Sequence, residues 1–407
     1  MPDIAPPKSI LITLAGRDRP GITNLVFSIL SRFEVELLDL EQILIRGRLV
    51  LAALISAPAD RVGLEKELSA AATELQLSLD FGNGHSDQAM EPGGRNYVTV
   101  LGSPLTARAM STITGCIFAS GANIERIDRI ASYPITAIQL DVSGVATEQL
   151  RTLLAPEAHA HGIDIAVQSA SLMRRALKLI VMDVDSTLVQ GEVIEMLAAH
   201  AGKEAEVARV TEAAMRGELD FTSSLMERVS HLAGLDESVF DHVYRDLQLT
   251  PGARTTIRVL KRLGYRFAMV SGGFTQITEK LAADLGIDYQ LANTLEVVDG
   301  RLTGRVTGPV VDRAAKAAAL RHFADQAGIP EQATIAIGDG ANDLDMLNAA
   351  GLGIAFNAKP IVQQAADTAV NTPYFDAVLY LLGITREEIE ADDAARGLQT
   401  PAPPIDS

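Results

Sequence analysis

In the N-terminal part of the chain, apolar residues follow two kinds of spacing. Ile22, Leu25, Val26, Ile29 and Leu30 recur every three or four positions, which is the spacing of an amphipathic helix. Short continuous apolar runs bounded by Gly, Pro or polar residues predict strands. The pattern predicts the order βαββαβ, with strands at 10–15, 37–45, 49–56 and 77–81 and helices at 22–33 and 62–75. This order is typical of an antiparallel sheet that carries both helices on one face.

The same order of elements recurs after a linker. Residues 82–94 are rich in Gly and polar residues, as linkers are. The apolar pattern that follows predicts strands at 97–101, 124–131, 135–142 and 163–168 and helices at 107–119 and 148–159. We therefore predict two successive α+β domains, over residues 1–84 and 95–170.

The C-terminal half of the chain has the pattern of a different fold class. Leu177–Met182, Tyr265–Val270 and Thr334–Ile337 are nearly continuous apolar runs, as found in strands buried on both faces of a parallel sheet. Helical patterns separate these runs, so we predict an α/β domain with a doubly wound parallel sheet over 171–385. A mostly helical stretch at about 193–250 is too long for one crossover and predicts an inserted helical cap.

Composition and charge narrow the expected partners. The chain has 407 residues and a formal charge of −17, which repels phosphate backbones, so no nucleic-acid partner is expected. Cys116 is the single cysteine, which excludes an intramolecular disulfide. The sequence shows neither a signal-like segment nor a long apolar run, so we expect no membrane partner and a cytoplasmic location. Residues 386–407 are acidic and Pro-rich and predict a flexible tail.

Each of the three buried runs ends in a cluster of polar residues. Asp183–Thr187 follows the first run, Ser271-Gly272-Gly273 the second, and Gly338–Asp343 the third. Ligands of an open parallel sheet bind outside the carboxyl ends of its strands, so we expect the three clusters to meet in one crevice. Each cluster alone is an ordinary turn, and their shared placement is what indicates a site.

The charges of these clusters indicate a metal and a phosphate. The carboxylates of Asp183, Asp185, Asp339 and Asp343 would repel one another in one crevice unless a cation were bound. Carboxylate oxygens without His or Cys favour a hard ion, and Mg²⁺ is the expected cofactor. The hydroxyl and N–H groups of the second cluster offer an anion seat, and Lys316 offers a fixed positive charge. These parts together predict phosphoryl transfer.

The three clusters, with Lys316 before the last of them, resemble the four ordered motifs of the haloacid dehalogenase superfamily phosphatases over about 170–375. Within that superfamily, Leu188–Glu192 and the phrases SGGF and GDGAND resemble the members that hydrolyse O-phospho-L-serine. The two N-terminal repeats resemble ACT regulatory domains, and Gly16–Gly21 resembles their ligand loop. The second repeat departs from that loop, with Gly102-Ser103-Pro104-Leu105 in its place.

The resemblance implies a role for each motif residue. Asp183 would be the nucleophile that forms an aspartyl-phosphate, and Asp185 the general acid and base. Mg²⁺ would be held by Asp183, the backbone carbonyl of Asp185 and Asp339. Asp343 would support these ligands without binding the ion directly. The implied substrate-binding residues are Glu192 for the ammonium, Arg228 for the carboxylate, and Ser271, Gly272, Lys316 and Asn342 for the phosphoryl group.

The resemblance also implies regulation and assembly. The implied effector loop contains Gly16, Asp18, Pro20 and Gly21, and the expected effector is L-serine. ACT-like sheets pair edge to edge, which implies a homodimer.

Two alternative functions stay open. One is a phosphatase of the same fold that acts on another small phosphometabolite or on a phosphoprotein, and the other is a non-catalytic amino-acid sensor. Glu192 also has a plain structural interpretation as a residue that complements a helix N-terminus, and Arg228 one as a surface residue of a cap helix.

Overall fold

The structure is a computed structural model that describes residues 9–84, 94–170, 173–176, 178–215 and 220–401. The chain divides into two compact units, Met1–Glu91 and Pro92–Ser407. Most of the predicted linker at 82–94 lies outside the described residues. In the described parts of the chain, every helix is too short or too polar to span a bilayer.

The first unit has the predicted βαββαβ order. Its elements are β1 Ser9–Arg17, α1 Ile22–Leu30, β2 Leu37–Ile45, β3 Arg48–Ser56, α2 Arg61–Leu75 and β4 Ser78–Gly84, with a 3₁₀ turn at Ser31–Phe33. The strands form an antiparallel sheet in the order β2-β3-β1-β4. Ile12, Leu51 and Ile55 of the inner strands share a core with Val26 and Leu68 of the helices. The strand β2 forms one edge of the sheet, and all its residues are exposed.

The second unit begins with another α+β arrangement in the predicted order. Its elements are β5 Arg95–Gly102, α3 Ala107–Ala119, β6 Asn123–Ala131, β7 Thr136–Ser143, α4 Thr147–His161 and β8 Asp164–Ser169. Its apolar core contains Val98, Ile113, Leu140 and Leu154.

The rest of the second unit is the predicted α/β domain. It contains α5 Met173–Ala176, β9 Leu179–Met182, α6 Val193–Ala201, α7 Glu204–Met215, α8 Phe221–Ser230, α9 Val239–Asp246, α10 Ala253–Arg262, β10 Arg266–Phe274, α11 Thr275–Leu285, β11 Tyr289–Val298, β12 Arg301–Thr307, α12 Arg313–Ala327, β13 Thr334–Gly338, α13 Leu344–Ala349, β14 Leu352–Phe356, α14 Pro360–Ala365, β15 Thr368–Val370, α15 Ala377–Leu381 and α16 Arg386–Ala395. Short 3₁₀ turns lie at Glu331–Ala333 and Ala341–Asp343. The helices α6 to α9 occupy the predicted cap segment.

A single sheet of eleven strands runs through the second unit, in the order β12-β11-β10-β9-β13-β14-β15-β8-β5-β7-β6. The central strands β10, β9, β13, β14 and β15 are parallel. Ile180 and Met182 of β9 face one core and Leu179 and Val181 face the other, which explains the continuous apolar run. The strand β8 pairs with β15, at Ala166 and Thr368, and so joins the strands of the second α+β domain to the parallel strands in one sheet. The sequence did not indicate this pairing.

The prediction of a flexible tail from residue 386 is wrong for Arg386–Ala395, which form α16. Ile389 of this helix is buried in the main core. Asp393 is fully buried and receives hydrogen bonds from Arg258 and Arg262 of α10. These contacts hold the helix against the domain despite its acidic composition. Residues 402–407 of the predicted tail lie outside the described residues.

Candidate active site

The polar clusters meet at the carboxyl edge of the parallel sheet because β9 lies between β10 and β13. Asp183 follows β9 directly, and its backbone N–H donates to the carbonyl of Ile337 in β13, 2.9 Å away. Ser271 lies near the end of β10, and Gly338 ends β13. The three strand ends predicted from the sequence to meet are therefore adjacent, with Asp183 on the middle strand.

Asp183 is held rigidly in this position. Its side chain is buried, and its Oδ2 lies 2.8 Å from the Nζ of Lys316. Its Oδ1 accepts a hydrogen bond from the backbone N–H of Val184 at 2.7 Å. A carboxylate held in this way presents a defined oxygen to an incoming electrophile.

Lys316 lies between two carboxylates and has no exposed surface. Its Nζ is 2.8 Å from Asp183 and 2.7 Å from Asp343. Burial acts to lower the pKa of Lys316, but the charges and hydrogen bonds of these two carboxylates raise it above the ordinary value. The side chain is therefore a permanent cation at the base of the crevice. The helix α12 that carries it is capped by Asp312, whose side chain accepts from the N–H of Ala315.

Three carboxylates gather beside this single cation. One oxygen each of Asp183, Asp339 and Asp343 lies within 4.8 Å of the others. Burial, followed by the charge of Asp343, raises the pKa of Asp183 well above its usual value. The same two causes raise the pKa of Asp339 to about 6, although Thr187 donates to its Oδ1 at 2.9 Å. The cluster thus carries more negative charge than Lys316 balances.

This set of donors fits a hard divalent cation, because it offers carboxylate oxygens and no sulfur. Both oxygens of Asp343 already have partners, since Oδ1 faces Lys316 and Oδ2 accepts from the N–H of Gly340 at 2.9 Å. Asp183 is likewise bonded at both oxygens, by Lys316 and by the N–H of Val184. Asp339, which accepts from Thr187 at Oδ1, is the more available side-chain ligand. A β-carbon at residue 338 would lie 2.4 Å from the carboxyl carbon of Asp343, so this turn requires glycine.

Asp185 faces away from the acidic cluster, toward the cap. Its Oδ1 accepts from the N–H of Val193 at the start of α6, at 2.8 Å, and its Oδ2 lies 3.5 Å from the Oγ of Ser271. Burial, and next the charge of Glu192, raises the pKa of Asp185 to about 7. A carboxyl group with such a pKa exchanges a proton near neutral pH, as a general acid and base must. A β-carbon at residue 273 would lie 2.8 Å from Oδ2, so glycine is needed there as well.

The loop predicted to be an anion seat lies beside Asp185. Ser271 is fully buried, and its Oγ accepts a hydrogen bond from the N–H of Gly273 at 2.8 Å. The cap covers this loop, because the ring of Phe221 lies 3.1 Å from the position of a β-carbon on Gly272. The seat is therefore shielded from water on the cap side.

The two predicted amino-acid-binding residues come from different cap helices. Glu192 precedes α6, and its Oε1 accepts from the hydroxyl of Ser186 at 3.1 Å. Arg228 lies near the end of α8, and its Nε donates to the carbonyl of Ser224 at 3.4 Å. Burial lowers the pKa of Arg228, and the charges of Glu192 and Asp185 act in the opposite direction. Both side chains thus share the electrostatic environment of Asp185.

The structure brings together most residues singled out from the sequence. Contacts or electrostatic interactions join Asp183, Asp185, Glu192, Arg228, Ser271, Lys316, Asp339 and Asp343, while Gly272 lies in the same loop and Asn342 packs against Gly340. Two residues of the site received no role from the sequence. Thr187, which bonds Asp339, stands inside the first motif, whereas Phe221 carries no local signal.

The predicted effector loop belongs to the first unit. Gly16 and Arg17 are still part of β1, and the N–H of Asp18 donates to the carbonyl of Gly47 at 2.9 Å. Gly21 has a φ of 96° and precedes α1. The loop is thus a tight connection between β1 and α1, tied to the turn between β2 and β3.

Fold and site together define a hydrolase of one large class. Residues 180–348 match the haloacid dehalogenase-like hydrolase family. Residues 8–82 and 95–168 each match the ACT domain. The ordered motifs thus lie in a haloacid dehalogenase-like hydrolase domain that follows two ACT domains.

Relatives of nearly the same length specify the family. The chain is 60% identical over 389 residues to a phosphoserine phosphatase of Streptomyces coelicolor, covering 95% of this chain and 94% of that protein. It is 51% identical to phosphoserine phosphatase SerB2 of Mycobacterium tuberculosis, covering 95% and 96%. The crystal structure of a probable phosphoserine phosphatase from Vibrio cholerae matches with a TM-score of 0.56 at 35% identity, covering 72% of this chain and 88% of that one. The chain belongs to the phosphoserine phosphatase family.

Proposed function

We propose that this protein hydrolyses O-phospho-L-serine to L-serine and phosphate, as the last step of L-serine biosynthesis. The names of its full-length relatives support this substrate. The observation that carries the chemistry is the carboxylate of Asp183, whose Oδ2 lies 2.8 Å from the fully buried Lys316, at the end of the strand that pairs with β10, which carries Ser271. This arrangement suits a carboxylate nucleophile that attacks phosphorus.

The reaction has two steps. An oxygen of Asp183 forms a bond to phosphorus while the bond from phosphorus to the seryl oxygen breaks, and protonated Asp185 gives its proton to that leaving oxygen. Asp185 then takes a proton from water, the water oxygen bonds to phosphorus, and the bond to Asp183 breaks to release phosphate. The raised pKa of Asp185, about 7, suits both proton transfers.

We assign the metal to Mg²⁺, held by Asp183, the backbone carbonyl of Asp185 and Asp339, with Asp343 behind them. The excess of carboxylates over Lys316 supports a cation here. When bound, Mg²⁺ supplies positive charge that neutralises the phosphate oxygens. Ser271, Gly272, Lys316 and Asn342 bind those oxygens.

Specificity for the serine part comes from the cap. Phosphoserine carries an ammonium and a carboxylate, and we assign the first to Glu192 and the second to Arg228. Their interaction with Asp185 supports this assignment, because it places opposite charges around the leaving group. An analogue that lacks the ammonium or the carboxylate leaves the charge of Glu192 or of Arg228 unpaired, and it therefore binds poorly.

The ACT domains provide regulation by an amino acid, and L-serine is the effector we propose for the loop with Gly16, Asp18, Pro20 and Gly21. We also propose a homodimer. The exposed edge strand β2 supports this, since Leu44 and Ile45 are 58% and 59% exposed, and an apolar strand edge is a pairing surface.

A panel of phosphorylated substrates tests the proposal. Phosphoserine, phosphothreonine, several sugar phosphates and a phosphoprotein are assayed with Mg²⁺ and with a chelator, and we expect strong preference for phosphoserine and no turnover without metal. Similar rates across the panel contradict the specificity and favour a phosphatase for other metabolites. No turnover of any substrate favours an amino-acid sensor.

A further inference from the structure

Asn293 lies where the pairing between β10 and β11 is interrupted. The two strands pair in parallel from Ala268 with Tyr289 to Val270 with Leu291, and the pairing resumes only at Phe274 with Asn293. Ser271, Gly272 and Gly273 therefore leave the ladder. Their backbone groups need other partners, because buried backbone groups are rarely left without a hydrogen bond.

The side chain of Asn293 supplies one of these partners. It is 1% exposed, and its Nδ2 donates to the carbonyl of Gly272 at 2.8 Å. Its Oδ1 accepts from the N–H of Val311, also at 2.8 Å. Val311 immediately precedes Asp312, the cap of the helix that carries Lys316. One buried amide therefore ties the anion-seat loop to the start of α12.

The bond to Gly272 determines which way the next peptide unit points. In a trans peptide, the carbonyl of Gly272 and the N–H of Gly273 point in opposite directions. Because Asn293 holds the carbonyl on one side, the N–H of Gly273 faces the Oγ of Ser271, 2.8 Å away. An Oγ that accepts this hydrogen bond keeps its own proton for donation. In this structure the proton is directed at the Oδ2 of Asp185 over a long 3.5 Å, so a bound phosphoryl oxygen can replace that weak partner.

From this geometry we propose that Asn293 is a positioning residue for the phosphoryl group. It acts through the peptide between Gly272 and Gly273 and aims the hydroxyl of Ser271 at a phosphoryl oxygen. The inference rests on the proposed function only in that the anion bound there is a phosphoryl group.

Asn293→Asp tests the inference directly, because aspartate has nearly the same shape and can still accept from Val311 but cannot donate to Gly272. A matched control is Gln276→Glu. The amide of Gln276 also bonds backbone groups of β11, donating to the carbonyl of Leu295 at 2.8 Å and accepting from its N–H at 3.4 Å, and its hydrogen bonds in the described residues go to Leu295 and Thr275 rather than to residues 271–273. Asn293→Ser shortens the side chain without adding charge and separates geometry from electrostatics.

The readout is the dissociation constant of inorganic phosphate, measured by calorimetry with Mg²⁺ present and well below the melting temperature of each variant. We expect Asn293→Asp and Asn293→Ser to weaken phosphate binding about tenfold, and Gln276→Glu to change it less than about twofold. We also expect both Asn293 variants to lower kcat for phosphoserine. If one of them does not fold, the other carries the same comparison.

The inference is overturned if both Asn293 variants bind phosphate like the unaltered protein while only their melting temperatures fall, since Asn293 is then a structural tether. It is also overturned if Gln276→Glu weakens phosphate equally, or if the unaltered protein does not bind phosphate. Failure of the proposed function looks different. The unaltered protein would then bind phosphate, with the expected loss in the Asn293 variants, but would not turn over phosphoserine.

Discussion

Two buried clusters of charge in the second unit contain carboxyl groups whose pKa values are shifted in opposite directions. In the site, Asp183, Asp339 and Asp343 surround the single cation of Lys316. At the C-terminal helix, the fully buried Asp393 receives hydrogen bonds from Arg258, Arg262 and Thr400. Asp343 and Asp393 are equally buried, so burial alone does not separate the clusters.

The difference lies in the balance of charge. Burial acts to raise the pKa of Asp393, but its hydrogen bonds to Arg258, Arg262 and Thr400 lower it below the usual value. In the site, burial and neighbouring carboxylates raise the pKa values of Asp183 and Asp339. A balanced cluster holds the fold together, whereas an unbalanced one is stabilised by an added cation and is therefore suited to binding and chemistry.

The largest expected effect is the loss of the nucleophile. Asp183→Asn removes the oxygen that bonds to phosphorus, and we expect kcat for phosphoserine to fall by about 10⁴-fold or more. Steady-state hydrolysis measures this, with Asp393→Asn as a control that keeps the native rate below its melting temperature. Native-like turnover by Asp183→Asn would refute the role of Asp183.

The next largest expected effect is the stabilisation of the acidic cluster, and not of the Asp393 cluster, by Mg²⁺. At about 100 times its dissociation constant, Mg²⁺ is expected to add about 2.7 kcal/mol to the free energy of unfolding, because it binds only the folded site. Thermal melts with Mg²⁺ and with a chelator measure this gain. Asp339→Asn is expected to lose most of it and Asp393→Asn to retain it. An equal gain in both variants would place the cation elsewhere.

Asp393→Asn probes the balanced cluster. It removes the carboxylate partner of Arg258, whereas Arg262 keeps its ion pair with Asp392, and we expect a loss of about 2 kcal/mol in the free energy of unfolding. The pKa of Asp393 is lower in the folded state, so its contribution is full above the unfolded pKa and is lost as the pH falls. Urea unfolding should therefore show a gap in the free energy of unfolding between wild type and variant at pH 7, and this gap should narrow as the pH falls below about 5. A gap independent of pH would contradict this account.

Asp339→Asn is expected to change the free energy of unfolding least. It should raise this free energy, whereas Asp393→Asn lowers it. Without metal, the variant removes a repelled carboxylate. Because Asp339 is partly exposed and solvent screens the repulsion, we expect the variant to be more stable than wild type by only about 1 kcal/mol at pH 7. Because the pKa of Asp339 is raised to about 6, this advantage appears as the pH rises from about 4 through about 6. Urea unfolding in a chelator measures it, and saturating Mg²⁺ should reverse the order. A metal-free variant less stable than wild type at pH 7 would show that the cluster is balanced.

Local pattern was sufficient for the repeated βαββαβ order and for the buried strands. The continuous run at β9 appears because its alternate residues face two different cores. Since parallel strands end at the same edge, the sequence alone predicts that Asp183, Ser271 and Asp339 meet. The turn at Asp299 and Gly300, with φ values of 51° and 73°, is likewise a local feature.

Contacts between distant parts of the chain could not be predicted from the local sequence pattern. The acidic composition after residue 385 predicted a flexible tail, and the helix α16 forms there because Asp393 meets Arg258 and Arg262. The pairing of β8 with β15, and the bond from Asn293 to Gly272, join residues that no motif links.

The amino-acid sequence determined which residue types stand at the ends of the buried strands, and with them the reaction class. Tertiary structure alone decided which carboxylates are balanced by cations and which are not. Periodicity and strand-end motifs depend on neighbours along the chain, whereas the pKa of a buried group depends on charges that only folding brings within a few ångströms.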